Sequence, residues 1–189
     1  MKRLGSVSAL GLLLVLLAPR LAFASEAELQ VALDTLWVVV CGVLVFFMNA
    51  GFGLLETGFC RAKNAVSVLT KNFAVASIAG LAFFAIGFGL MFADGVGFVG
   101  LGGFFLGGAD NSPAVNEAYE GVFSSLSWTG VPLQAKFFFQ ACFAMAAASI
   151  VSGAVAERVQ FEAYVIFSAV LVAVVYPITG HWIWGGGWL

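Results

Sequence analysis

Three aromatic residues are the candidate functional residues of this sequence. Phe139 and Phe143 are four residues apart in a long apolar run, so on a helix their rings share one face. Trp184 follows a later apolar run and precedes three glycines. Aromatic faces attract cations that have shed water, by roughly 0.5 to 2 kcal/mol, and an apolar path behind them opposes a charged species. The three residues therefore indicate a mouth that recognises a small cation and passes it on without its charge.

Other kinds of site find no support in the residue pattern. The sequence has one histidine, no phosphate loop, and no pair of carboxylates at helical spacing within an apolar run. Cys41, Cys60 and Cys142 lack the spacing of metal ligands, and we interpret them as small hydrophobic residues. We therefore predict neither an enzyme nor a metal or cofactor site.

One glycine-rich run imitates a nucleotide-binding motif. The residues from Gly95 to Gly100 match G-x-G-x-x-G by letter. That motif works between a strand and a helix of a βαβ unit, whereas here it follows a membrane span. We reject it as a dinucleotide site.

The composition determines which elements must hold the aromatic residues. Hydrophobic residues make up 62% of the 189 positions and charged residues only 10%, with a mean hydropathy of +1.05. Soluble domains are about a quarter charged, so the chain is predicted to be an all-α, polytopic membrane helical bundle in a lipid bilayer. It has no basic patch for nucleic acid. The predicted spans cover about residues 33–55, 66–92, 137–156 and 163–178.

The third span has a second notable face. Ala144, Ala148, Ser152 and Ala156 recur at every fourth position. Small residues in such a row allow another membrane helix to approach closely. We therefore predict that Ala148 and Ser152 pack against a neighbouring helix.

The first 24 residues have the three parts of a secretory signal peptide. Lys2 and Arg3 give the positive start, and residues 9–18 form a short apolar core. Residues 22–24 read Ala-Phe-Ala, a small-residue cleavage site. An uncleaved first helix is the alternative. Cleavage would leave Ser25 as the mature N-terminus, outside the cell.

Charge asymmetry predicts the same orientation independently. The connection between the second and third spans is acidic, with Lys136 near its end. The positive-inside rule assigns the basic turns to the cytoplasm of a plasma (inner) membrane protein. Those turns contain Arg61 and Lys63, with Lys71 close by, and Arg158.

Three further side chains can be interpreted from their depth in the membrane. Glu56, near the cytoplasmic end of the first span, is expected to snorkel or to pair near Arg61. Trp182 and Trp188 fit interfacial anchors. His181 is expected to be a capping or interfacial residue rather than a ligand.

Four pieces of the sequence resemble the ammonium transporter family, which also includes the Rhesus proteins. They occur in family order and extend over nearly all of residues 25–189. The pieces are Gly58 to Asn64, Phe139 to Phe143, Gly153 to Arg158, and Trp184 to Gly187.

This resemblance implies a fold, an assembly and roles for the aromatic residues. It implies roughly eleven spans arranged as an inverted repeat, in homotrimers with one pore per subunit. Phe139 and Phe143 match the stacked phenylalanines of the pore gate. Trp184, with Phe143, matches the outer site that binds ammonium or methylammonium. No cofactor is implied.

The sequence also departs from the family pattern. The family's conserved aspartate and paired pore histidines come after the tryptophan, and they have no positions here; His181 precedes Trp184. We therefore expect residues 25–189 to be the first part of a transporter membrane domain. The alternatives are the membrane part of an ammonium sensor that feeds a signalling domain, and a membrane scaffold that does not transport.

Overall fold

Four long helices make up most of the protein. The computed structural model describes residues 25–189, and the predicted signal peptide lies outside the described residues. Each helix is long and apolar enough to cross a membrane, and the prediction of an all-α bundle is confirmed. The helices are α1 (Glu26–Phe59), α2 (Ala62–Phe92), α3 (Leu133–Ala154) and α4 (Phe161–Trp184).

Helix α1 begins at a well-formed cap. The Ser25 hydroxyl accepts a hydrogen bond from the Glu28 backbone N–H, and the Glu28 carboxylate accepts one from the Ser25 N–H at 2.8 Å. This reciprocal pair satisfies two N–H groups that a helix start leaves without partners. The helix therefore begins well before the predicted start of the first span.

Helices α2 and α4 each contain one wider turn. The π-turns cover Phe83–Gly87 in α2 and Leu171–Val175 in α4. In α4 the π-turn precedes Pro177, which has no N–H and crowds the carbonyl four residues earlier. The two π-turns pack together at Gly87, where an added Cβ would lie 2.6 Å from the Val172 carbonyl oxygen.

Helices α1 and α3 meet along a face with a seven-residue period. Gly42, Asn49 and Glu56 are two helical turns apart, so they line up on one side of α1. At Gly42 an added Cβ would lie 2.8 Å from a ring carbon of α3. That ring carbon belongs to Phe138. Asn49 accepts a hydrogen bond from the Ser149 hydroxyl at 3.0 Å, and Glu56 accepts one from the Ser152 hydroxyl at 2.8 Å.

The predicted small-residue row lies inside the bundle for most of its length. Ala144, Ala148 and Ser152 are each 0% exposed. Tyr164 of α4 donates its hydroxyl to the Ala148 carbonyl. Ala156 lies beyond the end of α3 at Ala154, so the row stops one member earlier than its sequence spacing indicates.

The connection between α2 and α3, residues 93–132, starts with a small hairpin. Strand β1 (Gly95–Val96) pairs antiparallel with β2 (Val99–Gly100). The glycine-rich run is therefore a two-stranded turn that follows a helix, and it lacks the βαβ setting of a dinucleotide site.

A second part of this connection folds around Asp110. Its carboxylate accepts hydrogen bonds from the Ser112 hydroxyl at 2.6 Å and the Tyr119 hydroxyl at 2.9 Å. Burial, together with the bond to Asp110, raises the pKa of Tyr119 to about 12. The phenol thus stays neutral and continues to donate, which keeps this part of the connection compact.

Candidate functional site at the aromatic end of the bundle

The two ends of the bundle have different chemistry. We call the end with Arg61, Lys63 and Arg158 the basic end. There Glu157 accepts hydrogen bonds from the Asn64 amide at 2.6 Å and from the Arg61 side chain at 3.2 Å. These bonds hold the α1–α2 turn against the α3–α4 turn. Because Arg61 pairs with Glu157, the predicted place of Glu56 beside Arg61 is wrong.

Hydrogen bonding also lowers the pKa of Glu157. The Asn64 amide, followed by the Arg61 backbone N–H at 3.1 Å, holds the pKa of this carboxyl below its ordinary value. The carboxylate therefore keeps its charge, and these bonds, to a lower pH than a free glutamate would.

Glu56 instead belongs to a buried polar cluster between α1, α2 and α3. One carboxylate oxygen accepts from the Asn72 amide at 3.0 Å and the Ser152 hydroxyl at 2.8 Å, and it lies 3.9 Å from the Lys71 ammonium. Lys71 also donates to the Ser152 carbonyl at 3.3 Å and lies over the Tyr164 ring. We call Glu56, Lys71, Asn72 and Ser152 the polar cluster. Sequence reasoning missed it, although the adjacent Lys71 and Asn72 interrupt an apolar run.

The opposite end, which we call the aromatic end, contains a cavity of about 190 Å³. Trp128, Phe139, Gln140 and Trp184 line it, together with apolar side chains and Lys136. We call it the aromatic cavity. It brings together two of the three aromatic residues that the sequence singled out, Phe139 and Trp184.

Phe143 lies just outside the aromatic cavity. Its ring contacts Phe139 edge to face, with centroids 5.0 Å apart and planes at 65°. It is one helical turn further from the aromatic end and is 38% exposed. The structure thus places the two phenylalanines in series along α3, with Phe139 between Trp184 and Phe143.

Lys136 is a positive group at the wall of the aromatic cavity. It is 6% exposed, and its ammonium donates to the Leu126 carbonyl at 2.9 Å and approaches the Ser112 hydroxyl at 3.4 Å. The charge is therefore bonded to the connecting segment. This contact anchors the connection over the start of α3.

Trp184 is the last residue of α4, so the helix continues further than the predicted fourth span. Steric crowding and backbone conformation explain why three glycines follow. A Cβ on Gly185 would collide with the Met91 carbonyl, and one on Gly187 would lie 2.6 Å from the Trp182 backbone. Gly186 has a left-handed φ of 82°, which favours glycine. The Trp-Gly-Gly-Gly sequence is thus a tight helix end that leaves the indole 63% exposed.

Among the residues around Trp184, His181 is more deeply placed than the sequence indicates, while Trp188 is 59% exposed. His181 is 2% exposed, so it is buried rather than interfacial. The Trp182 indole donates to the Phe98 carbonyl at 3.0 Å, and its ring lies 5.8 Å from that of Trp188. Within residues 25–189, no three His, Cys, Asp or Glu side chains lie close enough together to hold a metal ion.

Comparison with known proteins identifies the family. The family model described as Ammonium Transporter Family matches residues 36–189. The chain belongs to the ammonium transporter family. The resemblance read from the four sequence pieces is confirmed, and the protein is a multi-pass membrane protein of a transporter family.

Named relatives and solved structures agree with this assignment. Ammonium transporter Amt2 of Archaeoglobus fulgidus is 46% identical over 161 residues, which cover 85% of this chain and 31% of the relative. A putative ammonium transporter of Synechocystis is 44% identical and covers 87% of this chain and 35% of the relative. The fold is similar to that of a solved structure named Sensor Amt Protein, with a TM-score of 0.71 and 36% identity, covering 85% of this chain and 38% of the other.

A fungal member of the family has the same arrangement of helices. The crystal structure of Candida albicans Mep2 matches with a TM-score of 0.68 and 29% identity, over 88% of this chain and 35% of Mep2. The chain spans about a third of the length of these relatives. The helices described here therefore correspond to one part of the longer family fold.

Proposed function

We propose that this chain forms the first part of a membrane transporter that carries ammonium. The observation that carries the proposal is the aromatic cavity, in which Trp184 and Phe139 lie at one wall and Phe143 follows in series. The Archaeoglobus and Synechocystis relatives are named as ammonium transporters. A cavity of about 190 Å³ with aromatic walls suits a small cation such as ammonium or methylammonium.

The geometry supports a division of roles among the three aromatic residues. The exposed indole of Trp184 offers its face to a cation that arrives from the aromatic end. Phe143, the second contact that the resemblance implies, lies beyond Phe139 and outside the aromatic cavity. Phe139 and Phe143 close the path behind the cavity with two rings in edge-to-face contact. Because an apolar passage opposes charge, ammonium gives its proton to water at the open aromatic end, and neutral ammonia crosses the rings.

The complete site needs walls that residues 25–189 do not supply. Trp184 is 63% exposed and Phe143 is 38% exposed on the open side of the bundle, while sites in repeat-built transporters lie between two repeats. The rest of a family-length protein covers these rings, and three such subunits form a homotrimer. We expect the 189-residue chain alone not to conduct ammonium.

Orientation is part of the same proposal. The basic end faces the cytoplasm of the plasma (inner) membrane, and the mature N-terminus at Ser25 lies outside after removal of residues 1–24. The Arg61–Glu157 bond supports this orientation, because it places both basic turns at one end. A reporter fused after Arg61 is expected to be cytoplasmic and one at Asn111 external; the reverse result would refute this topology.

Transport is tested by ammonium uptake into proteoliposomes. Two chains are compared, the 189-residue chain and an extended chain in which it is continued by the remaining part of the Archaeoglobus relative. We expect saturable uptake only with the extended chain. In the extended chain, Trp184→Ala should weaken ammonium recognition by up to about 2 kcal/mol if the site is desolvated. The control Phe59→Ala, which removes an 86% exposed aromatic ring at the basic end, should leave ammonium recognition unchanged. Robust uptake through the short chain by itself would refute this account of the pore.

A sensor is the second candidate, because the solved structure with a TM-score of 0.71 is named Sensor Amt Protein. A sensor would use the same aromatic recognition site without transporting ammonium. If the extended chain binds ammonium in a Trp184-dependent way without taking it up, the sensor assignment is favoured.

A further inference from the structure

We propose that His181 is a positioning residue that fixes the Trp184 indole at the mouth of the aromatic cavity. It does so by tying the last turn of α4 to the end of α2 and to the β1–β2 hairpin. The consequence for ammonium rests on the proposed function, in which Trp184 recognises the cation, whereas the positioning itself can be tested without transport.

The His181 ring lies between two backbone carbonyl groups from different elements. Its Nδ1 is 2.8 Å from the Met91 carbonyl oxygen of α2, and its Nε2 is 3.0 Å from the Val96 carbonyl oxygen of β1. A carbonyl oxygen only accepts, so each contact is a hydrogen bond when the facing nitrogen carries a proton. With 2% of the residue exposed, water has little access to replace either partner.

The backbone around Trp184 is connected through the same residue. The His181 carbonyl accepts hydrogen bonds from Gly185 at 3.1 Å and Gly187 at 2.9 Å. His181 precedes Trp184 by three residues, so both lie on the same turn of α4. Because the indole is 63% exposed, burial of its own ring does not hold it in place. Its position depends on the turn that carries it, and the His181 ring nitrogens lie within hydrogen-bond distance of a carbonyl on each of two other elements, to one of which a neutral imidazole donates.

Neighbouring hydrogen bonds reach the hairpin but not the α2 end, which otherwise meets α4 through the close packing of Met91 against Gly180 and Gly185. The Trp182 indole donates to the Phe98 carbonyl at 3.0 Å, and the Trp188 N–H donates to the Gly97 carbonyl at 3.1 Å. Both bonds lead to the hairpin, whereas the bond to Met91 belongs to His181. Loss of the imidazole should therefore leave the hairpin attached and allow the Trp184 turn to move relative to α2.

The structural test uses fluorine NMR of the 189-residue chain labelled with 5-fluorotryptophan. The chain has five tryptophans, and Trp184→Phe identifies the Trp184 resonance. In His181→Phe we expect this resonance to broaden or split, while the resonance of Trp37, which is 71% exposed on α1, stays unchanged. In His181→Gln, whose amide nitrogen carries two donors, the single sharp resonance should return.

Two results would overturn the proposal. An unchanged Trp184 resonance in His181→Phe would show that the imidazole does not position the indole. Equal perturbation of Trp184 and Trp37 would show that His181 supports the whole fold rather than this turn.

The functional test uses the extended chain and a double-mutant cycle. His181→Phe should raise the half-saturating ammonium concentration by no more than Trp184→Ala does, with the maximal rate of uptake unchanged. In the Trp184→Ala background, His181→Phe should have no further effect, because the residue acts through the indole. Additive effects would contradict this. If Trp184→Ala itself changes nothing, the proposed role of Trp184 fails, and the fluorine signals still decide the positioning role of His181.

Discussion

In the polar cluster, toward the basic end, the charged side chains are buried and bonded to one another, whereas at the aromatic end large apolar rings are exposed. Glu56 and Lys71 are 7% and 6% exposed, while Trp184 and Trp128 are 63% and 79% exposed. This is the reverse of the usual distribution of polar and apolar groups in a soluble protein. In a membrane helix bundle, charges must find partners inside the protein, and exposed rings can face lipid, another part of the protein, or a substrate.

The difference assigns separate tasks to the two ends. In the polar cluster, α1, α2 and α3 each contribute a hydrogen-bonding group, so the three helices are fixed relative to one another. Within residues 25–189, one Glu56 oxygen and the Asn72 carbonyl oxygen are buried without a hydrogen-bond partner. At the aromatic end, hydrogen bonds hold the connecting segment and the last turn of α4, while the rings of Trp184 and Trp128 stay exposed. Buried charges thus lie toward one end and exposed aromatic rings at the other.

The largest effect should come from breaking the Glu56–Lys71 pair. Glu56→Leu leaves the Lys71 ammonium buried without its carboxylate, which costs about 3–5 kcal/mol when one partner of a buried pair is removed. We expect a large loss of folded protein, measured by denaturant unfolding in detergent. Glu162→Leu, at an exposed carboxylate on α4, serves as the matched control.

The double variant Glu56→Leu with Lys71→Met tests the reason for that loss. Replacing both charges by apolar groups of similar size is often neutral, so much of the stability should return. If the double variant is as unstable as the sum of the two single variants, the cluster acts through something other than charge pairing.

Much of the fold could be predicted because membrane helices are encoded by long apolar runs. The helix type, the Phe139–Phe143 spacing and the role proposed for Trp184 all follow from local patterns. The partner of Glu56 could not be predicted in this way. The choice between Arg61, five residues ahead, and Lys71, on the next helix, depends on how α1 and α2 turn toward each other. The contacts of His181 could not be predicted for the same reason, because its two carbonyl partners come from segments about ninety residues earlier.

A middle-sized effect is expected from filling the small-residue row. Ala148 is 0% exposed, and the Tyr164 hydroxyl donates to its carbonyl, so Ala148→Leu has no space for its extra carbons. Overpacking of this kind costs about 1–3 kcal/mol, and the yield of assembled protein in size-exclusion chromatography should fall. Ile150→Leu, on the 59% exposed side of the same helix, should behave like the parent. Normal assembly of Ala148→Leu would show that this face does not pack closely.

The smallest effect concerns the exposed part of the basic end, where Glu157 joins the two basic turns. The pKa of Glu157 is lowered in the folded protein, first by the Asn64 amide and then by the Arg61 N–H. A lowered pKa means that these bonds contribute stability at pH values above about 4.3, the pKa of an unfolded glutamate. That contribution is lost as the pH falls through the lower folded value.

Amide hydrogen exchange can follow this loss, because the Arg61 N–H donates directly to the Glu157 carboxylate at 3.1 Å. At pH 7, the segment around Arg61 should exchange more slowly in the parent than in Glu157→Gln, which removes the charge. When the two proteins are compared at matched pH, the difference should shrink as the pH falls below the pKa of an unfolded glutamate, about 4.3, and through the lower folded pKa at which Glu157 protonates. A difference that persists unchanged into acid would mean that the carboxylate charge does not hold the turns together. In that case, charge pairing would stabilise the buried polar cluster but not the exposed turns of the basic end.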